Sequence, residues 1–576
     1  MRLKSNDEIA ENQQQMTTDT TLGIDPVTFE LVRTGLESMV DEMALTMIRT
    51  AYSQTLKNSI DMSTALCTPD GELLAQSMTL PLHLFSIPPA LQAILRRFGD
   101  DVHPGDIFAL NDPYDGGTHL PDIFIFKPLF VADRLAAWVC TSAHHADIGG
   151  RVAGGNGCDS TEIYAEGLRI PPLRLFERGR RMDDLFTLIE RNVRIPTVVL
   201  GDINSQLAAC FVGERNFGLL VEQHGIERLE RIFPELLNYA ERFTRAEISR
   251  LPDGDYDFTD YLDDDGIDPG PIPIKLRITV RGDEMIADFT GTSPQVRGAI
   301  NCPISFSRSV VFAGIRCILD GRIPNNGGFH RPISVITPPG SLVNPLLPAP
   351  VAARGLTGFR LANVVFGALA GIAPDRVPAA ESGGDTGISL AGYDAERRPF
   401  VYVEFLTGGW GGRPDRDGVD GCASVVVNTG NNPIEMLEAS YPFRIEQYGY
   451  VPDTGGAGKF RGSLALVREY RFLEREGTLQ IRSDRHKFQP YVLAGGQPGS
   501  AASNVLNPDT AEARVLPSKT LLTIQHGDVL RHTLAGAGGF GVPSERDPDL
   551  IRSDLRNGKV TPECAGRDYG FTLDLS

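Results

Sequence analysis

The sequence predicts an α+β (mixed), multi-domain protein with N-terminal helices plus a sheet and a β-rich C-terminal half. Three observations lead to this fold class. Apolar residues recur at helical spacing in two parts of the first 250 residues, strand-like runs lie between these parts, and further strand-like runs predominate after residue 397. A chain of 576 residues is also too long to form a single hydrophobic core.

The first helix is predicted from Pro26 to about Tyr52. Asp25 can cap it, and a proline fits the first helical turn. Its core face is marked by the helical spacing of Val32, Leu36, Met39, Met43 and Met47. Further helices are predicted over residues 84–98, 182–247, 306–319 and 358–373.

Strands are predicted where short apolar runs are bounded by Gly- and Asp-rich turns. Three of them, in IFALNDPY, IFIFKPLF and LAAWVCTSAHH, lie within residues 107–145, and a hairpin is predicted to turn at Gly282 and Asp283. The later runs are FVYVEFLTGGWGG, CASVVVNTG, SLALVREYRFLERE, GTLQIRSD and TLLTIQHGDVLRHTLAG. The expected organisation is a polar, disordered tail over residues 1–22, a first domain over 23–250, an α/β middle domain over 251–397, and a β-rich domain over 398–576.

The bulk composition disfavours two classes of partner. A net charge of −19 argues against nucleic acid and anionic membrane surfaces, because both require clustered Lys and Arg. No run approaches the roughly 18 apolar residues that a membrane-spanning helix needs. The eight cysteines are scattered without C-x-x-C pairs, and the first 21 residues lack the apolar segment of a signal peptide, so we expect a cytoplasmic protein with reduced thiols.

The chemistry is predicted to reside in two histidine clusters at the ends of the early strands. NDPYDGGTHLPD contains His119 and Asp122, and TSAHHADIGG contains His144, His145 and Asp147. Two imidazoles and a carboxylate are a ligand set for Zn, Mn or Fe. The alternative is that these are buried, hydrogen-bonded polar groups. The first domain is therefore the predicted metal-site domain.

Neighbouring histidines on a regular strand point to opposite faces, so His144 and His145 cannot both reach one ion without a bulge. We favour His144 as the ligand. His145 and Asp147 then become candidates for proton transfer, that is, for catalytic roles. A packed imidazole with no role in the reaction is the alternative for His145.

The glycine-rich segments do not predict a nucleotide site. PDTGGAGKF has Asp453 where a P-loop has glycine and Phe460 where it has Ser or Thr. GAGGFG is followed by Pro543 and opens no helix. Tight turns explain both segments. Six basic residues are candidates for a phosphate-holding pocket: Arg354, Arg360, Arg444, Lys459, Arg461 and Arg485.

With these motifs in view, the chain resembles the hydantoinase B/5-oxoprolinase family over residues 24–575. The resemblance is carried by an ordered series of segments: DPVTFELVRTGLESMVDEM, NDPYDGGTHLPD, AHHADIGG, DFTGTSPQVRGAIN, IPNNGG, PPGSLVNP, NTGNNPIEMLEASYPFRIEQY, PDTGGAGKFRGS and GAGGFGVPSERDPDLIRSDLRNGKV. The family includes B subunits of N-methylhydantoinases and large subunits of acetone and acetophenone carboxylases.

The resemblance implies one divalent metal and a partner, an A-type ATPase subunit that uses ATP to phosphorylate a carbonyl or amide oxygen. His119 and Asp122 match the family's H-x-x-D, His144 matches the next histidine, and Asp61 matches a further aspartate placed at the metal. The implied function is the B subunit of a hetero-oligomeric, ATP-dependent hydrolase of a hydantoin, 5-oxoproline or related lactam. A subunit of an ATP-dependent ketone carboxylase and a non-catalytic scaffold for the ATPase subunit are the alternatives.

Overall fold

The protein is described by a computed structural model covering residues 24–572, and the predicted tail of residues 1–22 lies outside the described residues. The helices are α1 (Pro26–Thr50), α2 (Gln54–Lys57), α3 (Pro81–Leu84), α4 (Ile87–Phe98), α5 (Asp183–Asn192), α6 (Pro196–His224), α7 (Ile226–Ile248), α8 (Ile304–Ile318), α9 (Gly327–His330), α10 (Arg354–Leu369), α11 (Ile434–Ser440), α12 (Pro548–Arg556) and α13 (Pro562–Tyr569). Short 3₁₀ turns occupy Pro113–Asp115, Ile163–Ala165 and Pro543–Glu545.

The strands form four sheets within this part of the chain. They are β1 (Met62–Cys67), β2 (Leu73–Gln76), β3 (Ile107–Leu110), β4 (Asp122–Val131), β5 (Arg134–His144), β6 (Leu173–Glu177), β7 (Arg180–Arg181), β8 (Gly254–Asp264), β9 (Pro269–Arg281), β10 (Glu284–Asp288), β11 (Ile333–Ile336), β12 (Thr386–Tyr393), β13 (Pro399–Leu406), β14 (Phe443–Val451), β15 (Ala465–Phe472), β16 (Glu476–Arg482), β17 (Ser503–Leu506), β18 (Arg514–Leu516), β19 (Lys519–Gln525) and β20 (Val529–Thr533).

The first sheet has the order β2-β1-β5-β4-β3-β6-β7 and is covered on both faces. Ile123 and Ile125 of β4 pack into the core that contains α1 and α6. Phe124 and Phe126 alternate with them and pack towards α4 on the opposite face. Burial on both faces explains why the sequence of β4 is a nearly continuous apolar run. Helix α1 begins as predicted, because the Asp25 carboxylate accepts a hydrogen bond from the Thr28 amide.

The second sheet has the order β11-β10-β9-β8 and packs against α8 and α10 in one core. Its β9–β10 hairpin turns at Gly282 and Asp283, as predicted. The third sheet, β13-β12-β16-β19, and the fourth, β14-β15-β20-β17-β18, form the β-rich part. The predicted boundary between residues 397 and 398 falls in the turn between the paired strands β12 and β13.

One predicted strand is wrong. CASVVVNTG, residues 422–430, forms turns and irregular backbone, although its valines suit a strand. Ser424 and Thr429 of this segment instead donate hydrogen bonds to buried carboxylates, Ser424 to Glu381 and Thr429 to Asp385. Tertiary contacts therefore override the local β-propensity.

The two glycine-rich segments pack against each other. Phe460 and Phe540 exchange both backbone hydrogen bonds, each 2.9 Å long, and the Gly456 amide donates to the Ala537 carbonyl. A Cβ on Gly536 would lie 1.8 Å from the Thr454 carbonyl oxygen, so the close approach of the two backbones requires glycine.

The observed architecture is α+β and multi-domain, as the sequence predicts. The separate limits of the three domains remain predictions. None of the helices in residues 24–572 combines the length and apolar character needed to cross a membrane.

Candidate functional site

The two histidine clusters meet because of the register of the first sheet. Asp122 begins β4, His144 ends the antiparallel strand β5, and the two residues are direct cross-strand partners. Asp61 lies just before β1, on the other side of β5, and its carbonyl oxygen accepts a 3.0 Å hydrogen bond from the His144 amide. Starts and ends of adjacent antiparallel strands share one edge of a sheet, so residues 61, 122 and 144 converge at that edge.

His119, Asp122 and His144 form a compact, buried group. Each can offer a ligand atom such that all three atoms lie within 4.8 Å of one another. The two imidazole centroids are 5.0 Å apart, and none of the three residues is more than 1% exposed. This spacing would allow one small cation to contact all three side chains.

Hydrogen bonds to Ala352, Arg354 and Thr118 orient the His119 and Asp122 side chains. His119 Nδ1 lies 3.0 Å from the Ala352 carbonyl oxygen, which can only accept, so Nδ1 carries the proton and Nε2 presents its lone pair. The buried Glu166 side chain accepts hydrogen bonds of 2.8 and 2.9 Å from the Val351 and Ala352 amides and thereby fixes this carbonyl. On Asp122, Oδ2 accepts a 2.6 Å hydrogen bond from Arg354 and a second one from Thr118, which leaves Oδ1 free.

Several polar atoms of this group and of the adjoining Asp61 and His83 have no hydrogen-bond partner in the described part of the chain. These atoms are Asp61 Oδ1, His83 Nδ1 and Nε2, His119 Nε2, Asp122 Oδ1, and His144 Nδ1 and Nε2. Buried polar atoms are normally satisfied, because leaving one unpaired costs roughly 1–3 kcal/mol. Unpaired imidazole nitrogens and carboxylate oxygens on neighbouring side chains are the ligand atoms that a divalent metal would use.

Asp61 and His83 flank this group. Asp61 Oδ1 is 3.6 Å from His83 Nε2, and the same nitrogen is 3.4 Å from Asp122 Oδ2. His83 therefore lies between Asp61 and Asp122 of the compact group. The assignment of Asp61 as a metal ligand remains a prediction. The sequence reasoning missed His83, which stands in the apolar run LPLHLF without a neighbouring carboxylate. Only its position in the stretch from His83 to His145, which holds five of the ten histidines, could have drawn attention to it.

Burial keeps both imidazoles in the form that can bind a metal. Burial, assisted by the Arg354 charge, lowers the pKa of His119 to about 4, and burial lowers the pKa of His144 well below its usual value. Burial opposes ionisation of Asp122, but the neighbouring imidazoles and the Arg354 guanidinium hold its pKa well below the ordinary range. Near pH 7 the group therefore offers neutral imidazoles and a carboxylate, as metal coordination requires.

His145 and Asp147 lie away from this group. His145 points to the other face of the sheet, where Nε2 donates a 3.0 Å hydrogen bond to Gln206 of α6. Asp147 accepts hydrogen bonds from the backbone amides of Gly154 and Arg194, at 2.9 and 2.6 Å, and therefore fixes a loop. The opposite orientation of the two adjacent histidines agrees with strand alternation. Catalytic roles for His145 and Asp147 remain predictions without geometric support.

Two small adjoining cavities open beside the group. One, of about 50 Å³, is lined by Asp61, His83 and His144, and the other, of about 30 Å³, by His119 and Arg482. Both are also lined by Arg354, Gly355, Phe359, Asp385 and Phe405. Burial raises the pKa of Asp385 to about 7, so this carboxyl can hold or release a proton near neutral pH.

Arg354 is the member of the six predicted phosphate-binding candidates that lines these cavities. The other five are paired with carboxylates elsewhere: Arg360 with Asp260 and Asp484, Arg444 with Glu446, Lys459 with Glu545, Arg461 with Asp420 and Asp554, and Arg485 with Asp260. Sequence reasoning did not single out Arg482, because no local motif marks it.

Comparisons with known proteins agree with this picture. The family model described as hydantoinase B/oxoprolinase matches residues 25–543. Caprolactamase subunit beta of Pseudomonas jessenii is 34% identical over 570 residues, which cover 96% of this chain and 97% of that protein. The crystal structure of ATP-dependent caprolactamase from the same organism superposes with a TM-score of 0.91 at 32% identity, over 96% of this chain and 97% of the solved one.

A nucleotide-free structure of acetone carboxylase superposes with a TM-score of 0.90 at 18% identity, over 96% of this chain and 81% of the solved one. This second likeness shows a shared fold. The match to the family model covers most of the chain, and the caprolactamase subunit is similar over nearly the whole length of both proteins. The chain therefore belongs to the hydantoinase B/oxoprolinase family.

Proposed function

We propose that the chain is the metal-containing subunit of an ATP-dependent hydrolase that opens cyclic amides together with a separate ATPase subunit. The observation that carries the proposal is the buried group of His119, Asp122 and His144, which has unpaired ligand atoms and adjoins the cavities that His119 and His144 line. Relatives support the reaction class, since caprolactamase acts on a cyclic amide and is named as ATP-dependent.

The donor set fits a divalent ion of the Zn, Mn or Fe class. His119 Nε2, Asp122 Oδ1 and a His144 ring nitrogen would hold it, and Asp61 would join through a shift of its side chain or of His83. When bound, such an ion supplies a positive charge that polarises a carbonyl oxygen and lowers the pKa of water. Arg354 keeps Asp122 ionised and oriented, and the Ala352 carbonyl keeps the His119 lone pair directed at the site.

The cavity walls contribute water exclusion and proton transfer. Phe306, Phe359 and Phe405 form much of the apolar lining, so charges within the cavity interact more strongly than they would in water. Asp385 is held by hydrogen bonds from Thr429 and from the Ser424 amide, the latter 3.3 Å long. Because its pKa is raised to about 7, Asp385 can donate a proton to the leaving nitrogen of an opened amide.

The need for an ATPase partner rests on the relatives and on the glycine-rich segments. The name of the caprolactamase chain, subunit beta, indicates a protein of more than one subunit. In this chain PDTGGAGKF and GAGGFG hydrogen-bond to each other through their backbones, so the amides they use there are not free to bind phosphates. We accordingly propose that ATP is used by an A-type ATPase subunit in a hetero-oligomer.

The test is reconstitution of the full chain with an A-type ATPase subunit. Hydantoin, 5-oxoproline and caprolactam are offered with ATP, and ring opening, ADP formation and bound metal are measured. We expect no ATP hydrolysis by the chain alone, and ring opening by the complex that His119→Ala abolishes together with bound metal.

Full activity of the complex without metal would overturn the proposal and favour a scaffold. Incorporation of labelled bicarbonate into a ketone, without opening of any cyclic amide, would show a carboxylase instead. Both outcomes are read from the same reconstituted complex.

A further inference from the structure

Arg482, at the end of β16, is a buried cation that has no carboxylate partner among the described residues. It is 3% exposed, and no acidic side chain in residues 24–572 lies within ion-pair distance of it. Its Nε has no hydrogen-bond partner, and its one side-chain hydrogen bond within the described residues runs from Nη2 to Ser389 at 3.3 Å. Burial lowers its pKa to about 10, which still leaves the guanidinium charged at neutral pH.

Other buried arginines show how this protein normally compensates such a charge. Each of them forms at least one ion pair with an aspartate or glutamate: Arg360, Arg461, Arg468, Arg485 and Arg546. A buried charge without a counter-ion is costly, so its retention calls for a negative partner that is supplied from outside the chain.

The guanidinium of Arg482 lies over the neighbouring strands β12 and β13 of the third sheet. Gly387 is its cross-strand partner, and a Cβ on Gly387 would lie 2.6 Å from both Nε and Nη2, so the side chain lies flat over the glycine. On the next strand, Phe405 is the partner of Gly387. The Phe405 ring centroid is 5.4 Å from Arg482 Cζ and 5.3 Å from the His144 ring centroid, which places Arg482 one aromatic ring away from the metal-binding group.

Two further positive groups face the same cavities. Helix α10 begins at Arg354, and its N-cap, Ala353, provides no side-chain hydrogen bond. Ala353, Arg354 and Gly355 line the cavity that Arg482 lines, so the positive end of a 16-residue helix is directed there. Arg354 is bonded to Asp122 through Nη2, but its buried Nε is unpaired as well.

We propose that Arg482, Arg354 and the N-terminus of α10 form an anion site for the phosphate group of an O-phosphorylated substrate, next to the metal-binding group. This inference rests on the proposed function and adds the position at which the activated oxygen is held. The cavities of about 50 and 30 Å³ that Arg354 lines adjoin the metal-binding group, so a phosphate group held there would lie beside it. Asp385, the carboxyl on the same wall, can donate a hydrogen bond to such an oxyanion when protonated.

The test is phosphate binding by the purified, metal-loaded full chain. Inorganic phosphate is titrated calorimetrically into the unmodified protein, Arg482→Gln, Arg482→Lys and Gly387→Ala, with bicarbonate and acetate as competing anions at equal ionic strength. Arg485→Gln is the matched control, because this neighbouring arginine is also fully buried but is paired with Asp260. Bound metal and melting temperature are measured for every sample.

We expect phosphate to bind the unmodified chain. Arg482→Gln should raise the Kd at least tenfold, Arg482→Lys by less, and Gly387→Ala several-fold because it displaces the guanidinium. Arg485→Gln should leave the Kd within twofold. If Arg482→Gln fails to fold, Gly387→Ala and the phosphate-dependent rise in melting temperature of the unmodified chain decide the question.

Unchanged phosphate affinity in folded Arg482→Gln or Gly387→Ala, or binding of bicarbonate but not phosphate, would overturn the inference. If the metal content is normal in those samples, the proposed function stands while the inference fails. Loss of metal and ring opening in His119→Ala, measured separately, tests the proposed function by itself.

Discussion

His144 and His145 provide a test within one dipeptide, because they are the same residue type on opposite faces of one sheet. Both His144 ring nitrogens are unpaired, whereas His145 donates a hydrogen bond to Gln206. We therefore expect His144→Ala to lose metal, and His145→Ala to keep metal but lose stability. Loss of one hydrogen bond together with truncation of a buried side chain should cost His145→Ala about 3 kcal/mol.

Metal binding makes its own contribution to the stability of the folded chain. With free metal at about 1,000 times Kd, binding stabilises the folded chain by about 4 kcal/mol. Substituting a residue that only supports a ligand weakens metal binding by about 10–100-fold, so loss of a ligand should weaken it by at least 100-fold. That loss would reduce the metal-dependent stabilisation of His144→Ala to about 1.4 kcal/mol or less.

The assay is chemical unfolding of the unmodified chain and both variants, with metal-buffered solution and with chelator. His145→Ala should be less stable in both solutions and should keep the full difference between them. His144→Ala should lose most of that difference. The opposite pattern, or no metal-dependent stabilisation of the unmodified chain, would refute the assignment of the site to this edge of the sheet.

Three further predictions concern substitutions of single residues. Asp385→Asn should lower kcat for ring opening about 10²–10⁴-fold with unchanged bound metal, because an amide cannot donate the proton, and a near-normal kcat would contradict this role. Burial lowers the pKa of His532 to about 3, so the unfolded chain binds the extra proton first and stability falls as the pH drops below about 6.5. In chemical unfolding, the stability lost on His532→Gln should therefore shrink by about 2 kcal/mol from pH 6.5 to 4.5, and a constant difference would argue against a buried neutral imidazole. Gly328→Ala should lower the free energy of unfolding by about 1–3 kcal/mol, because the added Cβ would lie 1.8 Å from the Leu237 carbonyl oxygen. Gly321→Ala is the control. Its Cβ would meet no atom within 4 Å, so this substitution should leave the free energy of unfolding unchanged.

Much of the fold could be predicted because its signals are local. Helix α1 begins at the proline that follows a capping aspartate, and the β9–β10 hairpin turns at the Gly-Asp pair. The predicted strand at residues 422–430 failed for a physical reason. Its Ser and Thr side chains donate hydrogen bonds to the buried carboxylates of Glu381 and Asp385. The sequence of the segment gives no sign of these distant acceptors.

The candidate site could be predicted in part. H-x-x-D places His119 and Asp122 three residues apart, and strand alternation distinguishes His144 from His145. His83 could not be found in this way, because it reaches the site from a short helix between apolar residues. Family resemblance, rather than local sequence, pointed to Asp61.

By itself the sequence determined the α+β class, the main helices and strands, and the residue types that can bind a metal. Only the tertiary structure decided which distant groups complete the site. Glu166 and Asp385 come from loops, Arg354 from a helix and Arg482 from a strand, and the packing of separate sheets brings them together. Spacing in the sequence determines which residues are neighbours along one helix or strand. Contacts between sheets depend on how whole layers pack, so a local sequence motif cannot predict them.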